Sequence, residues 1–229
     1  MKCLIFNVNN FCGKNSTLKS NGKVSLEIKE SIIEFIKKEN FQLIALQEFP
    51  INHQVGKKFI DEMHSMGFKE YHNNDIINFT SKGTSISITF VLQSGFNIIR
   101  KIFEESLRYI CINVNGIDIL NVHASLNPSS FSIYSIQQYS SSHLGFIFGD
   151  FNAGLYLENK SPNLYSAYRK ILDNGFTDII MINDKEQVTN IVTKTPIDHV
   201  LNKGVIYKSC IVNKSFSTFS DHLPIILDY

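Results

Sequence analysis

The sequence predicts an α+β chain, mixed α/β in character, in which two sets of apolar strands pack face to face and helices cover the outer faces. Three observations carry this prediction. Strand-length apolar runs alternate with 3.6-period helical patterns at the start of the 229 residues, and an alternating segment with an Asn-Gly hairpin occupies the middle. A second set of short strands follows a further helix. No internal repeat, low-complexity tract or linker divides the chain, so residues 1–229 read as one catalytic-size domain.

In order, residues 2–8 form an apolar strand closing on Asn7, Asn9 and Asn10, and residues 15–23 are a Ser/Asn/Gly/Lys-rich loop. Residues 24–40 place Ile28, Ile32, Phe35 and Ile36 at helical spacing, and residues 41–46 return to a strand that ends at Gln47-Glu48. Residues 54–66 repeat the helical pattern with Val55, Phe59, Met63 and Met66 on one face, stopped by Gly67. From there the period shortens. Residues 85–92 alternate, residues 96–103 follow a Ser-Gly turn, and residues 107–114 pair with 117–122 across Asn115-Gly116, a strong hairpin signal. The Ser-rich stretch 129–142 holds a short helix around Tyr134, Ile136 and Tyr139. Residues 144–148 are a buried strand with Gly149 as its stop, and 164–172 a helix ended by Gly175. Residues 187–192, 197–201, 205–212 and 224–227 complete the second strand set.

Composition narrows the function classes. Lys plus Arg number 22 and Asp plus Glu 21, so no strong overall field draws the chain to nucleic acid or to an acidic membrane. Cys3, Cys12, Cys111 and Cys210 are dispersed, which argues for reduced thiols in a cytoplasmic protein and against a thiolate zinc site. The apolar run at the N-terminus is too short for a signal peptide, and no segment approaches the roughly 18 apolar residues of a membrane span.

The polar residues just beyond the apolar runs are the informative part. Asn7 follows the first strand, Glu48 the second, His123 the hairpin strand, and Asp150 and Asn152 the run ending Phe148-Gly149-Asp150-Phe151-Asn152-Ala153-Gly154. Asp198 and His199 lie within Thr195-Pro196-Ile197-Asp198-His199-Val200-Leu201, and Ser220-Asp221-His222-Leu223-Pro224 stands before the last strand. A carboxylate and an amide at the mouth of a sheet suit a hard, oxygen-preferring cation and a water held for attack. Either motif alone reads as an Asx turn. Contributions from six strand ends together read as one rim of site residues.

This ordered set, from Phe6-Asn7-Val8-Asn9 through Leu46-Gln47-Glu48, Asn121-Val122-His123 and the two longer motifs, resembles the endonuclease/exonuclease/phosphatase superfamily, over residues 5 to 225. That group includes DNase I, abasic-site endonucleases, inositol polyphosphate 5-phosphatases and sphingomyelinases. The resemblance implies a DNase I-like four-layer α/β/β/α sandwich and metal-dependent hydrolysis of a phosphoester. It implies Glu48 as the main ligand of Mg²⁺, with Mn²⁺ as a substitute, and Asn7 and Asp221 completing the metal or water network. Asp150 would orient and deprotonate the attacking water, and Asn152 would donate to a phosphoryl oxygen. His123 and His222 would stabilise developing charge there, with Asp198 orienting the His222 ring. Arg108, at a strand start near which relatives carry a substrate-contacting Arg or Tyr, is a candidate substrate-binding residue.

His53, His64, His72 and His143 read as surface residues, and His199 as lying outside the site. Asn9 stands where abasic-site endonucleases usually carry an aspartate, which weakens a second metal contact. Trp is absent, and the chain is short for the family, which implies trimmed substrate loops. The leading expectation is a monomeric, non-membrane nuclease acting on DNA or RNA. The alternatives are a phosphatase of a small phosphorylated molecule or inositol phosphate, and a catalytically inactive binding module on the same fold. Retention of Glu48, His123, Asp150, Asn152, Asp198, Asp221 and His222 argues against the last.

Overall fold

Alternate residues of the central strands are buried on opposite sides, the pattern that two stacked sheets with helices on both outer faces require. A computed structural model describes residues 1–13, 24–73, 85–101, 106–128, 130–141, 145–180 and 186–229. One sheet is built from β1 (Lys2–Asn7), β2 (Leu43–Phe49), β3 (Phe68–Tyr71), β4 (Ile86–Leu92), β11 (Ser209–Val212) and β12 (Ile225–Asp228), in the order β11-β12-β1-β2-β4-β3. The other contains β5 (Ile98–Lys101), β6 (Tyr109–Val114), β7 (Ile117–His123), β8 (Gly145–Asp150), β9 (Thr177–Asp178) and β10 (Asp198–Lys203), in the order β5-β6-β7-β8-β10-β9. Helices α1 (Leu26–Glu39) and α2 (Gln54–Ser65) cover the first sheet, and α3 (Ile133–Ser140) and α4 (Pro162–Asp173) the second. The four-layer α/β/β/α sandwich expected from the sequence is the one observed.

The two halves repeat one topology. In each, a parallel pair linked by a helix (β1-α1-β2 and β7-α3-β8) is flanked by antiparallel strands, and a second helix leads on to a further antiparallel pair. The amino-acid sequence carries no such repeat; the repetition is one of hydrogen-bonded connectivity alone.

Local chemistry explains the elements. Ser25 caps α1 by accepting from the Ile28 amide at 3.2 Å, and Asn40 closes the helix in the left-handed region at φ 54°. Ile32, Ile33 and Ile36 of α1 and Phe59 and Met63 of α2 bury against Leu4, Phe6, Ile44, Leu46 and Phe90. Each such side chain contributes about 1.5–3 kcal/mol by leaving water. The opposite face of these strands, with Ile5 and Ala45, meets Ile112, Phe148 and Val200 of the second sheet to form the core between the sheets. The predicted Asn-Gly hairpin joins β6 to β7, with Asn115 at φ 51° and Gly116 at φ 90°.

One polar tie crosses this inner core. Asn121 of β7 is fully buried and donates from Nδ2 to Leu46 O (3.3 Å), Ile88 O (3.0 Å) and Thr89 Oγ1 (3.1 Å) of the facing sheet. Its Oδ1 accepts from Gln47 Nε2 at 2.6 Å.

Three expectations are corrected. Gly149 does not stop a strand: it lies inside β8, paired with Val122 and His199, and a Cβ there would come within 2.2 Å of Val122 O. The close approach is to a neighbouring strand. Residues 187–192 are not a strand, because Asn190 folds them into a turn by accepting the Val192 and Thr193 amides. Only Ser209–Val212 of the run 205–212 is strand. The short strands β3 and β9 were not legible. The loop at 15–23, residues 102–103, residue 144 and His143 lie outside the described residues. Among the described residues, no helix is long and apolar enough to cross a membrane, and none of the four cysteines forms a disulfide.

Candidate active site

The parallel pairs of the two sheets end at the same rim, which brings together Asn7, Glu48, His123 and Asp150. In register, Asn7 stands beside Gln47, His123 beside Asp150, and Asp150 beside Asp198 at the start of β10. Ser220-Asp221-His222 enters from the loop before β12, held by Ser220 Oγ, which donates to Asn7 O at 2.7 Å and accepts from the His222 amide.

Backbone geometry aims the first carboxylate. The β2–β4 ladder shifts register between Leu46 and Phe49, and within that bulge Glu48 adopts φ 50°. A left-handed glutamate is strained by about 1–3 kcal/mol, and bulges re-aim side chains in this way. Asn7 Nδ2 donates to Glu48 Oε1 (3.3 Å) and to Asp150 Oδ2 (3.1 Å), while its Oδ1 accepts from the Asn9 amide (3.0 Å). Asn7 therefore both forms the Asx turn and bridges the two acids, with its donor end toward them. Asn10, at φ 55°, donates to Glu48 Oε2 at 3.2 Å.

Asp150 Oδ2 is the centre of the group. His123 Nε2 stands 3.9 Å away on one side and His222 Nε2 3.8 Å away on the other. The rings are held differently. His222 Nδ1 lies 2.8 and 3.0 Å from the Asp198 carboxylate oxygens, which makes Nδ1 a donor and turns Nε2 toward the rim. His123 Nδ1 faces the Arg108 guanidinium at 3.4 Å, which makes Nδ1 the acceptor and places the proton on Nε2, 3.5 Å from Glu48 Oε1.

Electrostatics sharpen the division. Burial pushes the His123 pKa down to about 3, with the charges of Arg108 and His222 acting in the same direction, so this ring is neutral. Burial also opposes charge on His222, but Asp198, Asp150 and Asp221 outweigh it and hold its pKa up at about 10. Asp150 is pushed up to about 7 by burial, with His222 opposing and Asp198 and Glu48 adding to the rise. Burial likewise raises Glu48.

Glu48, His123 and Asp150 each offer an atom within 4.8 Å of the others, as do Asp150, Asp198 and His222, so acidic and histidine groups are arranged for a metal ion. The donor set fits a hard cation. The Glu48 carboxylate lies beside Asn10, whose buried Oδ1 has no hydrogen-bond partner and is a free oxygen donor there. Asp221 sits at the edge, with Oδ2 4.0 Å from His222 Nε2. Asn152, at φ 48°, receives Asp150 Oδ1 on its amide (2.9 Å) and turns its Nδ2 to Ala124 O (2.9 Å), so its side chain braces the loop in this structure. Arg108 reaches the rim through His123.

A second group lies directly beneath, and sequence reasoning missed it. His199 is fully buried, with Nδ1 2.8 Å from Asp178 Oδ2 and Nε2 donating to Ala153 O at 2.7 Å. Glu186 accepts the amides of Leu155 (2.6 Å) and Tyr156 (2.9 Å), and Gly154 fits because a Cβ would meet Glu186 Oε1 at 2.6 Å. Together they clamp the loop that follows Asp150 and Asn152. His199 thus supports the site from behind; its two facing partners, not the sequence around it, reveal this. Although burial opposes charge on His199, Asp178 and Glu186 raise its pKa to about 9. A raised histidine pKa stabilises the fold fully below its unfolded value of about 6.5 and loses that contribution as pH rises through 9. Thermal melts from pH 6.5 to 9.5 are therefore expected to fall. Asp178→Asn should flatten the part of that slope that His199 supplies; an identical slope in both proteins would refute the assignment.

The architecture is that of the DNase I-like endonuclease/exonuclease/phosphatase fold. The structure is similar to an AP endonuclease from Archaeoglobus fulgidus (18% identity, TM-score 0.67, covering 100% of this chain and 99% of that one). It is also similar to the 3'-5' exonuclease NExo from Neisseria meningitidis (16% identity, TM-score 0.68, 100% and 99%) and to the human Nocturnin catalytic domain with bound sulfate (16%, 0.59, 100% and 92%). No protein-family profile and no curated protein matches the sequence. The motif resemblance and the fold thus agree. The first two structures are matched over 99% of their own lengths.

Proposed function

We propose that the chain is a Mg²⁺-dependent phosphoesterase that hydrolyses a nucleic-acid phosphoester by in-line attack of water. The observation that carries this reading is the convergence of Glu48, His123, Asp150 and the Asp198–His222 pair on one rim, with Asp150 Oδ2 between the two imidazole Nε2 atoms. Similar structures named as an AP endonuclease, an exonuclease and a phosphatase bound to product DNA support the substrate class.

Glu48 would hold the cation with help from Asn10 Oδ1 and Asp221, and the bound Mg²⁺ would supply Lewis-acid stabilisation of phosphoryl charge. Asp150, with its pKa raised to about 7, is poised to take a proton from water near neutral pH. His123 Nε2–H and His222 Nε2 face the same point and would donate to phosphoryl oxygens as charge builds there. Asp198 fixes the His222 ring, Asn7 spaces the two acids, and Asn152 holds the Asp150 loop. The four dispersed cysteines, none of them in a disulfide, support a reducing, cytoplasmic setting.

The test is a hydrolysis screen of the purified protein with Mg²⁺, with Mn²⁺ and with a chelator. Substrates are plasmid DNA, abasic-site duplex, RNA, inositol phosphates and an aryl phosphodiester. Metal-dependent cleavage of a nucleic-acid substrate is the expected result. Preference for inositol phosphates would move the assignment to a small-molecule phosphatase, and no turnover on any of them would leave a binding module.

A further inference from the structure

Asn190 lies in none of the sequence motifs, yet its side chain ends at the catalytic rim. It is 4% exposed and its backbone is paired with Thr195 in both directions, N to O at 2.9 Å and N to O at 3.2 Å. Its Oδ1 accepts three donors: the Val192 amide (3.1 Å), the Thr193 amide (2.9 Å) and Thr193 Oγ1 (2.9 Å). Turning the amide over would face Nδ2 with two backbone N–H groups, so its orientation is locked. Nδ2 is thereby held 3.2 Å from His222 Nε2 and 3.5 Å from Asp221 Oδ2.

We propose that Asn190 is a phosphate-contacting catalytic residue, whose Nδ2 and His222 Nε2–H together receive one phosphoryl oxygen. This deepens the phosphoesterase reading and rests on it. Asp198 accepts the hydrogen bond from His222 Nδ1–H, so the ring can act on substrate only through Nε2. When Nε2–H donates, it ceases to be an acceptor for Asn190, and Nδ2 faces another donor, keeping only the longer 3.5 Å contact to Asp221 Oδ2 with its own amide unable to turn. An anionic oxygen in front of both atoms accepts from each and resolves that conflict. The capping of Val192 and Thr193 uses Oδ1 alone and would be served equally by a carboxylate or a hydroxyl. A role confined to capping that turn therefore makes no demand on Nδ2.

Asn190→Asp and Asn190→Ser separate the two duties. Both keep an oxygen for the turn and remove the donor; the first adds a charge and the second does not. Binding of inorganic phosphate in the presence of Mg²⁺, followed by calorimetry, and kcat on an aryl phosphodiester are measured beside the melting temperature. The expected result is a roughly 10- to 100-fold loss of phosphate affinity and of kcat in both variants, the scale of one hydrogen bond to a charged group, with melting temperatures near the parent's. Parent-like phosphate affinity and kcat in Asn190→Ser would overturn the role of Asn190 and leave the phosphoesterase reading standing. A parent protein that neither binds phosphate nor turns over any ester would overturn both. Losses that track an equal fall in melting temperature would reduce Asn190 to a turn cap and overturn its contact with phosphate.

Discussion

Asp150→Asn is expected to lower turnover by roughly 10²–10⁴-fold while leaving the fold at least as stable as the parent. The two halves of this result have one cause. Asp150 is 2% exposed and lies beside Glu48 and Asp198, so its ionised form is disfavoured and its pKa rises to about 7. An acid whose pKa is raised on folding destabilises the fold as pH climbs above its unfolded value of about 3.8, and a neutral amide removes that penalty. His222→Ala should be the opposite case for stability. It loses turnover on the same scale, but it also leaves the Asp198 carboxylate, 3% exposed, without its imidazole partner. Breaking a buried pair in this way costs about 3–5 kcal/mol. Kinetics and thermal melts of the two variants at pH 8 check both statements. Parent-like turnover in either would remove that residue from the chemistry, and equal destabilisation in both would contradict the charge arrangement described.

Glu48→Gln is expected to weaken Mg²⁺ binding by more than the roughly 10- to 100-fold that loss of an outer partner costs, because it removes an anionic ligand itself. The substitution keeps the side-chain length but halves the acceptors. Asn7 Nδ2 and Asn10 Nδ2 each donate to a separate carboxylate oxygen, so one of them loses its partner. Calorimetric titration of the substrate-free protein reads this directly, without turnover. Unchanged affinity in Glu48→Gln would place the cation elsewhere on the rim, with Asp150, Asp198 and His222 the remaining cluster there.

The strand-end residues were legible because each follows an apolar run that can only be a buried strand, so the chain announces where a polar side chain meets the rim. Asn7, Glu48, His123, Asp150, Asp198, Asp221 and His222 were found that way, and the structure gathers all of them. What the sequence hid depends on partners far along the chain. Asn190 sat inside residues 187–192, which read as a strand, because nothing local shows that its carbonyl will take two backbone amides. Gly149 looked like a strand stop, because its true constraint, the Val122 carbonyl, comes from a neighbouring strand. His199 reads from sequence as lying outside the site, although Asp178 and Ala153 make it a support of the loop after Asp150. The short strands β3 and β9 carry too few residues for a period to show.

Apolar faces such as the inner core resist separation but resist sliding poorly, since burial has no direction. Hydrogen bonds from Asn121 do have direction. Its four contacts across the sheets lie two residues before His123 and one before Glu48 on the facing strand, so they act as a dowel for lateral alignment. The spacing between the two histidines and the two acids is thereby set by the registration of one sheet on the other, and the tolerance of the site is the tolerance of that joint.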